Sequence, residues 1–130
     1  MGRKNSPSAN KELNELIAQY ETAKAENRQL YLDGDQLADI ADQYAAGRKF
    51  NEAQEVITYG LHLHPDSTDL LVEQAYLYLD TGKIPLAKKV VESITDEYDT
   101  DVKMLKAELM LNEGQLENAR NVLDTIEDAE

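Results

Sequence analysis

The 130-residue chain contains no cysteine and no tryptophan, and only one phenylalanine and three prolines. Without cysteine, the chain cannot form a disulfide, bind a metal through a thiolate or use a cysteine nucleophile. Basic residues are also scarce, because 13 Lys and Arg stand against 26 Asp and Glu, which gives a formal net charge of −13. Such an acidic chain is unsuited to nucleic-acid backbones and anionic membrane surfaces, so we expect neither as a partner.

Long hydrophobic runs are missing as well. The longest apolar run, at residues 75–79, has five residues, whereas a bilayer-spanning helix needs about 20. The start of the chain, Arg-Lys-Asn-Ser-Pro-Ser over residues 3–8, is polar where a secretory signal is apolar. We therefore expect a cytoplasmic protein, and the length predicts one domain with a core of its own.

The dominant pattern in the sequence is an internal repeat. Residues 70–94 align without a gap on residues 102–126, and residues 36–60 align on residues 70–94. The offsets are 32 and 34 residues. Self-similarity at such a period indicates a supersecondary unit that stacks on its neighbours.

Each unit has the periodicity of two helices joined by a turn. In the second unit, one apolar stripe consists of Leu71, Ala75 and Tyr78, and the next consists of Ala87, Val90, Val91 and Ile94. These residues recur at the spacing of one helix face. Gly82 suits the turn between the two helices, and Pro85 falls in the first turn of the second helix, where proline is tolerated. Together with one helix before the repeats, this pattern predicts seven helices and no sheet.

The starts of the three first helices agree residue by residue. Asp33, Ser67 and Asp99 occupy equivalent places and are good N-cap residues. An aspartate follows two residues after each of them, where its charge stabilises a helix N-terminus.

The repeated unit resembles the tetratricopeptide repeat, which implies an all-α, right-handed α-solenoid of helix–turn–helix units. The resemblance covers repeats at 34–67, 68–99 and 100–127. It implies a repeat core of small and aromatic residues: Ala41, Tyr44, Ala53, Ala75, Tyr78, Ala87, Ala107 and Ala119. Gln74 and Lys106 depart from the family pattern, since they stand where leucine is preferred. We also expect the chain to be part of a longer protein of bacterial type.

An amphipathic helix is predicted before the repeats, within residues 10–30. Its apolar residues are Leu13, Leu16, Ile17 and Tyr20, and Asn10 is a candidate cap. The helix either covers the exposed side of the first repeat or remains mobile, and we expect residues 1–9 to be disordered.

No motif for catalysis or metal binding emerges. His62 and His64 are the only histidines and point about 200° apart on a helix, so one metal cannot take both there. The acidic stretches 33–35 and 96–101 lack the spacing of a calcium loop. With no nucleophile, phosphate loop or zinc-helix motif, we predict no catalytic residue, no metal site, no cofactor and no enzyme activity.

The resemblance implies that the first helices line a groove that binds a protein or peptide. The inferred lining residues are Asp35, Asp39, Asp42, Asp69, Val72, Glu73, Tyr76, Leu79, Asp80, Asp101, Met104, Leu105, Glu108 and Leu111, together with Ala38, Ala45, Ala46 and Asn112. Eight of these 18 are acids and none is a base. The basic carboxylate clamp of chaperone-binding family members is absent, so the expected partner is a basic or apolar segment. Tyr76 is either a groove contact or a packing residue against the next unit.

A structural role is the alternative function. The last repeat carries an apolar stripe of Val122, Leu123 and Ile126. Since solenoids usually need a polar terminal face, this stripe favours a segment of a longer solenoid or a scaffold that self-associates through its C-terminal helix.

Overall fold

The computed structural model describes residues 7–128, and within that range the chain forms seven α-helices and no strand, as predicted. The helices are α1 (Pro7–Ala25), α2 (Gly34–Ala46), α3 (Phe50–Leu63), α4 (Thr68–Asp80), α5 (Ile84–Ser93), α6 (Thr100–Asn112) and α7 (Leu116–Asp128). Helices α2 to α7 form three successive pairs, one for each repeat, and the architecture is an α-solenoid.

The predicted N-caps of the three first helices are confirmed. The Ser67 hydroxyl accepts a hydrogen bond from the Leu70 N–H at 3.2 Å, and the Asp99 carboxylate accepts one from the Val102 N–H at 3.1 Å. Asp33 is the cap of α2. Such caps satisfy backbone donors that have no partner inside the helix, and each typically contributes about 1 kcal/mol.

The turn inside each repeat uses one residue in the left-handed conformation. In the second and third repeats it is Gly82 and Gly114, with φ of 77° and 79°. In the first repeat it is Arg48, with φ of 60°, whereas the preceding Gly47 has φ of −86°. The strain of a left-handed arginine, about 1–2 kcal/mol, is partly offset because its guanidinium lies 5.2 Å from the Phe50 ring centre.

Both helices of each repeat contain buried alanines. All six alanines predicted for the repeat core are buried: Ala41, Ala53, Ala75, Ala87, Ala107 and Ala119. Of the two core tyrosines, Tyr44 is buried and Tyr78 is half-buried. Within a pair, the small side chains let the helix backbones approach closely.

Helix α4 contributes to two hydrophobic clusters. Leu70 and Leu77 extend into the first cluster, which also contains residues of α1, α2 and α3. Val72 and Ala75 belong to the second cluster, which contains residues of α5 and α6. A helix that is apolar around most of its circumference is buried on several sides, and α4 packs against α2, α3, α5 and α6.

The structure corrects the bounds of the N-terminal helix predicted over 10–30. It begins three residues before Asn10, because Pro7 suits the first helical position, where a missing N–H costs nothing. It ends early because Asn27 adopts a left-handed φ of 56°. The last three residues of the tail predicted over 1–9 to be disordered therefore lie in α1, and the other six lie outside the described residues.

Helix α1 packs on the first repeat. This contact agrees with the alternative in which the helix covers the first repeat rather than remaining mobile. Tyr20 is buried, and its ring centre lies 6.4 Å from that of Tyr59 in α3. The hydroxyl of Tyr44 in α2 donates a hydrogen bond to the Glu21 carboxylate of α1. The apolar stripe of α1 packs against the first cluster through Leu13, Leu16 and Ile17.

Two tyrosines at this contact have raised pKa values. Burial, with a smaller contribution from the Glu55 charge, raises the pKa of Tyr20 to about 12. Burial and the hydrogen bond to Glu21 also raise the pKa of Tyr44. Because both values lie above the value of about 10 for an unfolded chain, the folded state keeps protons that the unfolded state releases. The stability from both hydroxyls is complete below about pH 10 and is lost as the pH rises above it, for Tyr20 through about pH 12.

We therefore expect the free energy of unfolding to fall less steeply between about pH 10 and pH 12 in Tyr20→Phe and in Tyr44→Phe than in the unmodified chain. Urea unfolding followed by circular dichroism measures it. Lysines titrate in the same range in every variant, so only the difference between variants is informative. Tyr98→Phe, which changes a largely exposed side chain, is the control. Identical pH profiles for all four proteins would contradict the prediction.

The alanine crossings generate a second expectation. Replacing the fully buried Ala87 by leucine should overpack the crossing of α4 and α5 and cost about 1–3 kcal/mol of stability. Lys89→Leu adds a leucine at an exposed place of the same helix and should leave the melting temperature nearly unchanged. Equal thermal melts of the two variants would show that the repeat register is wrong.

Candidate functional site

The candidate site is the surface of α2, α4 and α6, here called the first-helix row. Within the row, α4 lies between α2 and α6 and packs against both. Of the fourteen principal lining residues predicted, five are exposed, six are half-buried and three are buried. The exposed ones are Asp35, Asp80, Met104, Glu108 and Leu111; the half-buried ones are Asp39, Asp42, Asp69, Tyr76, Leu79 and Asp101; the buried ones are Val72, Glu73 and Leu105.

The expectation that Val72 and Leu105 line an open groove is wrong. Both are fully buried in the second hydrophobic cluster, between α4, α5 and α6. Ala38, at the place equivalent to Val72, is fully buried in the first cluster. These places contact a neighbouring first helix, and the repeat pattern does not show which places a neighbouring unit covers.

Glu73 is a buried carboxylate, with 4% of its surface exposed. It interacts with other groups of the protein, as burial of a charge requires. Its position assigns it to the packing of the solenoid rather than to direct contact with a partner, so reversing its charge would disturb the fold.

The remaining acids give the first-helix row its negative charge. Asp35, Asp39 and Asp42 follow one another at i, i+4 and i+7, which places them on one face of α2. Asp69 and Asp101 lie in the first turns of α4 and α6, where they also stabilise the helix N-termini.

The apolar part of the row lies between the acids of α4. Tyr76 and Leu79 are half-buried and pack against the second cluster. Of the two alternatives for Tyr76, a packing residue or a groove contact, this contact favours packing. Part of the Tyr76 surface remains accessible. Met104 and Leu111 of α6 are 45% and 48% exposed. They occupy the places equivalent to Val72 and Leu79, on the side of α6 where a further repeat would pack.

Polar bridges between successive repeats were not predicted from the sequence. The amides of Gln54 in α3 and Gln74 in α4 exchange two hydrogen bonds of 2.9 Å. The Lys88 ammonium of α5 donates a hydrogen bond of 2.7 Å to the Glu113 carboxylate just after α6, and this bond raises the pKa of Lys88. The signal was present in the repeat alignment, because Gln54 and Lys88 occupy the same place in their units.

His64 has a structural role. His64 caps the end of α3, just before Pro65, and its Nε2 lies 2.8 Å from the Leu32 carbonyl oxygen. The ring of Tyr31 meets the His64 ring edge-on at 5.4 Å. Over residues 7–128, no group of three or more His, Asp or Glu side chains could hold a metal ion. Within the same stretch, no helix has the length and apolar character needed to cross a membrane.

An open cleft of about 390 Å³ lies at α1 and the segment that follows it. It is lined by Ala18, Gln19, Thr22, Arg28 and Leu30. Its polar side chains are those of Gln19, Thr22 and Arg28, and the Arg28 guanidinium pairs with the Glu26 carboxylate at 2.7 Å.

Comparison with known proteins identifies the family of the repeats. A family model described as a tetratricopeptide repeat matches residues 44–109, about half of the chain, which includes parts of all three repeats. No significant match was found among curated proteins or solved structures.

Proposed function

Because the chain belongs to the tetratricopeptide repeat family, whose repeats mediate protein–protein interactions, we propose that it is a non-catalytic binding module. The first-helix row would hold a protein or peptide segment that carries basic and apolar side chains. We expect no cofactor or metal in this function.

The observation that carries the proposal is the charge of the row. Its exposed acids, Asp35, Asp80 and Glu108, come from three successive first helices. The 18 places inferred for the groove include no Lys or Arg, although the chain has 13. A partner with lysines or arginines would therefore be attracted over the whole row, which raises the association rate and weakens with salt.

The expectation that the partner also carries an apolar side chain is based on α4. The accessible parts of Tyr76 and Leu79 lie beside the exposed carboxylate of Asp80. An apolar side chain of the partner would cover them, while neighbouring bases meet the acids. Exposed ion pairs contribute only about 0.2–1 kcal/mol each, so the apolar contact is needed for useful affinity.

The proposal predicts that a basic peptide pool binds more tightly than an acidic pool of equal length, and that moderate salt reduces the difference. Asp80→Lys/Glu108→Lys should weaken the basic pool about 5- to 30-fold, because two attractions become two repulsions. The matched control, Glu92→Lys/Asp124→Lys, makes the same change in net charge at exposed places on second helices. Fluorescence anisotropy measures the affinities. Equal binding of both pools, or equal effects of the two double variants, would refute the charge preference.

The alternative function is structural, as a solenoid segment that stacks on a further repeat or on a second copy. The observation that favours it is the apolar surface of the third repeat, where Leu111, Leu116 and Leu123 are exposed. Val122 and Ile126 of the predicted stripe are half-buried.

Light scattering separates the binding module from self-association. If the chain is a monomeric binding module, the measured mass is that of one chain, 14.6 kDa, at all concentrations. A self-associating scaffold gives a mass that rises with concentration and returns to that of one chain in Leu123→Glu, because the carboxylate is costly to bury in an apolar contact. A concentration-dependent mass that Leu123→Glu leaves unchanged would exclude the C-terminal helix as the contact.

A further inference from the structure

The acids of the first-helix row are most concentrated where the first repeat meets the second. Asp35, Asp39 and Asp42 lie on one face of α2, and Asp69 and Glu73 of α4 occupy the places equivalent to the first two of them. Helices α2 and α4 are neighbours, so the five carboxylates belong to adjoining surfaces. Because like charges repel one another and Glu73 is only 4% exposed, a positive charge brought to this part of the row is strongly favoured.

The same chain carries a short basic segment directly before α1. Residues 1–6 contain Arg3 and Lys4 and no acid, in a chain whose formal net charge is −13. The charge of this segment is therefore complementary to that of the row.

Helix α1 keeps the basic segment close to α2. Leu13 of α1 packs against the first cluster, to which α2 contributes, and the Glu21 carboxylate accepts the hydrogen bond from Tyr44 of α2. From Leu13 back to Pro7 a helix rises about 9 Å, and the extended chain from Pro7 to Arg3 spans at most about 14 Å. Helix α2 has 13 residues and is therefore about 20 Å long. The chain from the Leu13 contact is thus long enough for the segment to reach the acids of α2.

The covalent connection makes binding of the segment to the row intramolecular. A short connection gives an effective concentration on the order of millimolar. Exposed ion pairs are weak between separate molecules, and this local concentration increases their occupancy within one chain.

We propose that residues 1–6 are an internal ligand of the row, with Arg3 and Lys4 at the carboxylates that α2 and α4 present. The proposal deepens the proposed function, because a basic partner then competes with the segment for the same acids. The apparent affinity for the partner is reduced in proportion to the fraction of chains whose row is left open. A change that removes the charge of the segment should therefore strengthen partner binding.

A paramagnetic label tests where the segment binds. Since the chain has no cysteine, Asn5→Cys provides a single place for a nitroxide. In NMR spectra of the full chain, the label should broaden the amide signals of the row at Asp35 and Asp69 and leave those of α5 and α7 sharp. A label at residue 5 is close to α1 in any case, so the informative result is the change in a variant. Arg3→Ser/Lys4→Ser should remove most of the broadening on the row, as should about 0.5 M salt.

A mixed sample shows whether the contact is made within one chain. Isotope-enriched chain without the nitroxide is mixed with labelled chain that is not enriched. If the segment binds in cis, the enriched chain keeps sharp signals on the row. Broadening of the row in this mixture would make a second copy the acceptor and would overturn the proposal.

The competition is measured with the basic peptide pool in fluorescence anisotropy. Arg3→Ser/Lys4→Ser should bind the pool about three- to tenfold more tightly at low salt, because the row is left open. The matched control, Lys89→Ser/Arg120→Ser, makes the same change in net charge at exposed places on α5 and α7 and should alter the affinity less than about twofold. Circular dichroism of each variant checks that the fold is intact.

The two measurements separate failure of this proposal from failure of the proposed function. Absence of broadening on the row, broadening that Arg3→Ser/Lys4→Ser leaves unchanged, or equal affinities of the two serine variants would overturn the internal ligand, even if basic peptides bind the row. Broadening that depends on the two bases, in a chain that binds no basic peptide, would support cis binding of the segment and refute the binding of a basic partner.

Discussion

The close crossing of paired helices at alanine is the constraint on which the rest of the structure depends. Each pair has buried alanines on both of its helices, and side chains this small let the two backbones approach closely. Repeating that geometry aligns α2, α4 and α6 as neighbours. The acids of three sequence segments about 33 residues apart therefore meet on one surface, which no single repeat could form.

The sequence predicts the local structure well because its signals are local. The caps Asp33, Ser67 and Asp99 and the crossing alanines act within one unit, and their recurrence in three units reinforces each assignment. The bounds of α1 were less well predicted, because Asn27 ends the helix through a left-handed conformation that asparagine tolerates but does not require. The left-handed residue of the first repeat was not predicted either, because Arg48 adopts this conformation although arginine seldom does and Gly47 is adjacent.

The candidate site was predicted less completely, because exposure depends on neighbouring units. Val72 and Met104 are equivalent in the repeat, yet one is buried and the other is nearly half exposed. Glu73 and Glu108 are both acids of first helices, and only Glu108 faces solvent. The exposure of a groove residue therefore depends on the repeats on both sides of it. Equivalent residues differ in exposure when one of those repeats differs.

The placement of α4 in both hydrophobic clusters has a consequence for how the chain opens. Repeat proteins behave approximately as linear arrays in which each unit is stabilised by its neighbours. Since Leu70 and Leu77 hold α4 to one cluster and Val72 and Ala75 to the other, α4 cannot unfold without loosening both. Within the described residues, the side of α7 away from α6 lacks such a neighbour, and Ala119 is its only buried apolar side chain. Amide hydrogen exchange should therefore be slowest in α4 and fastest toward α7. Local opening is then most frequent in the third repeat, which also has the exposed apolar side chains.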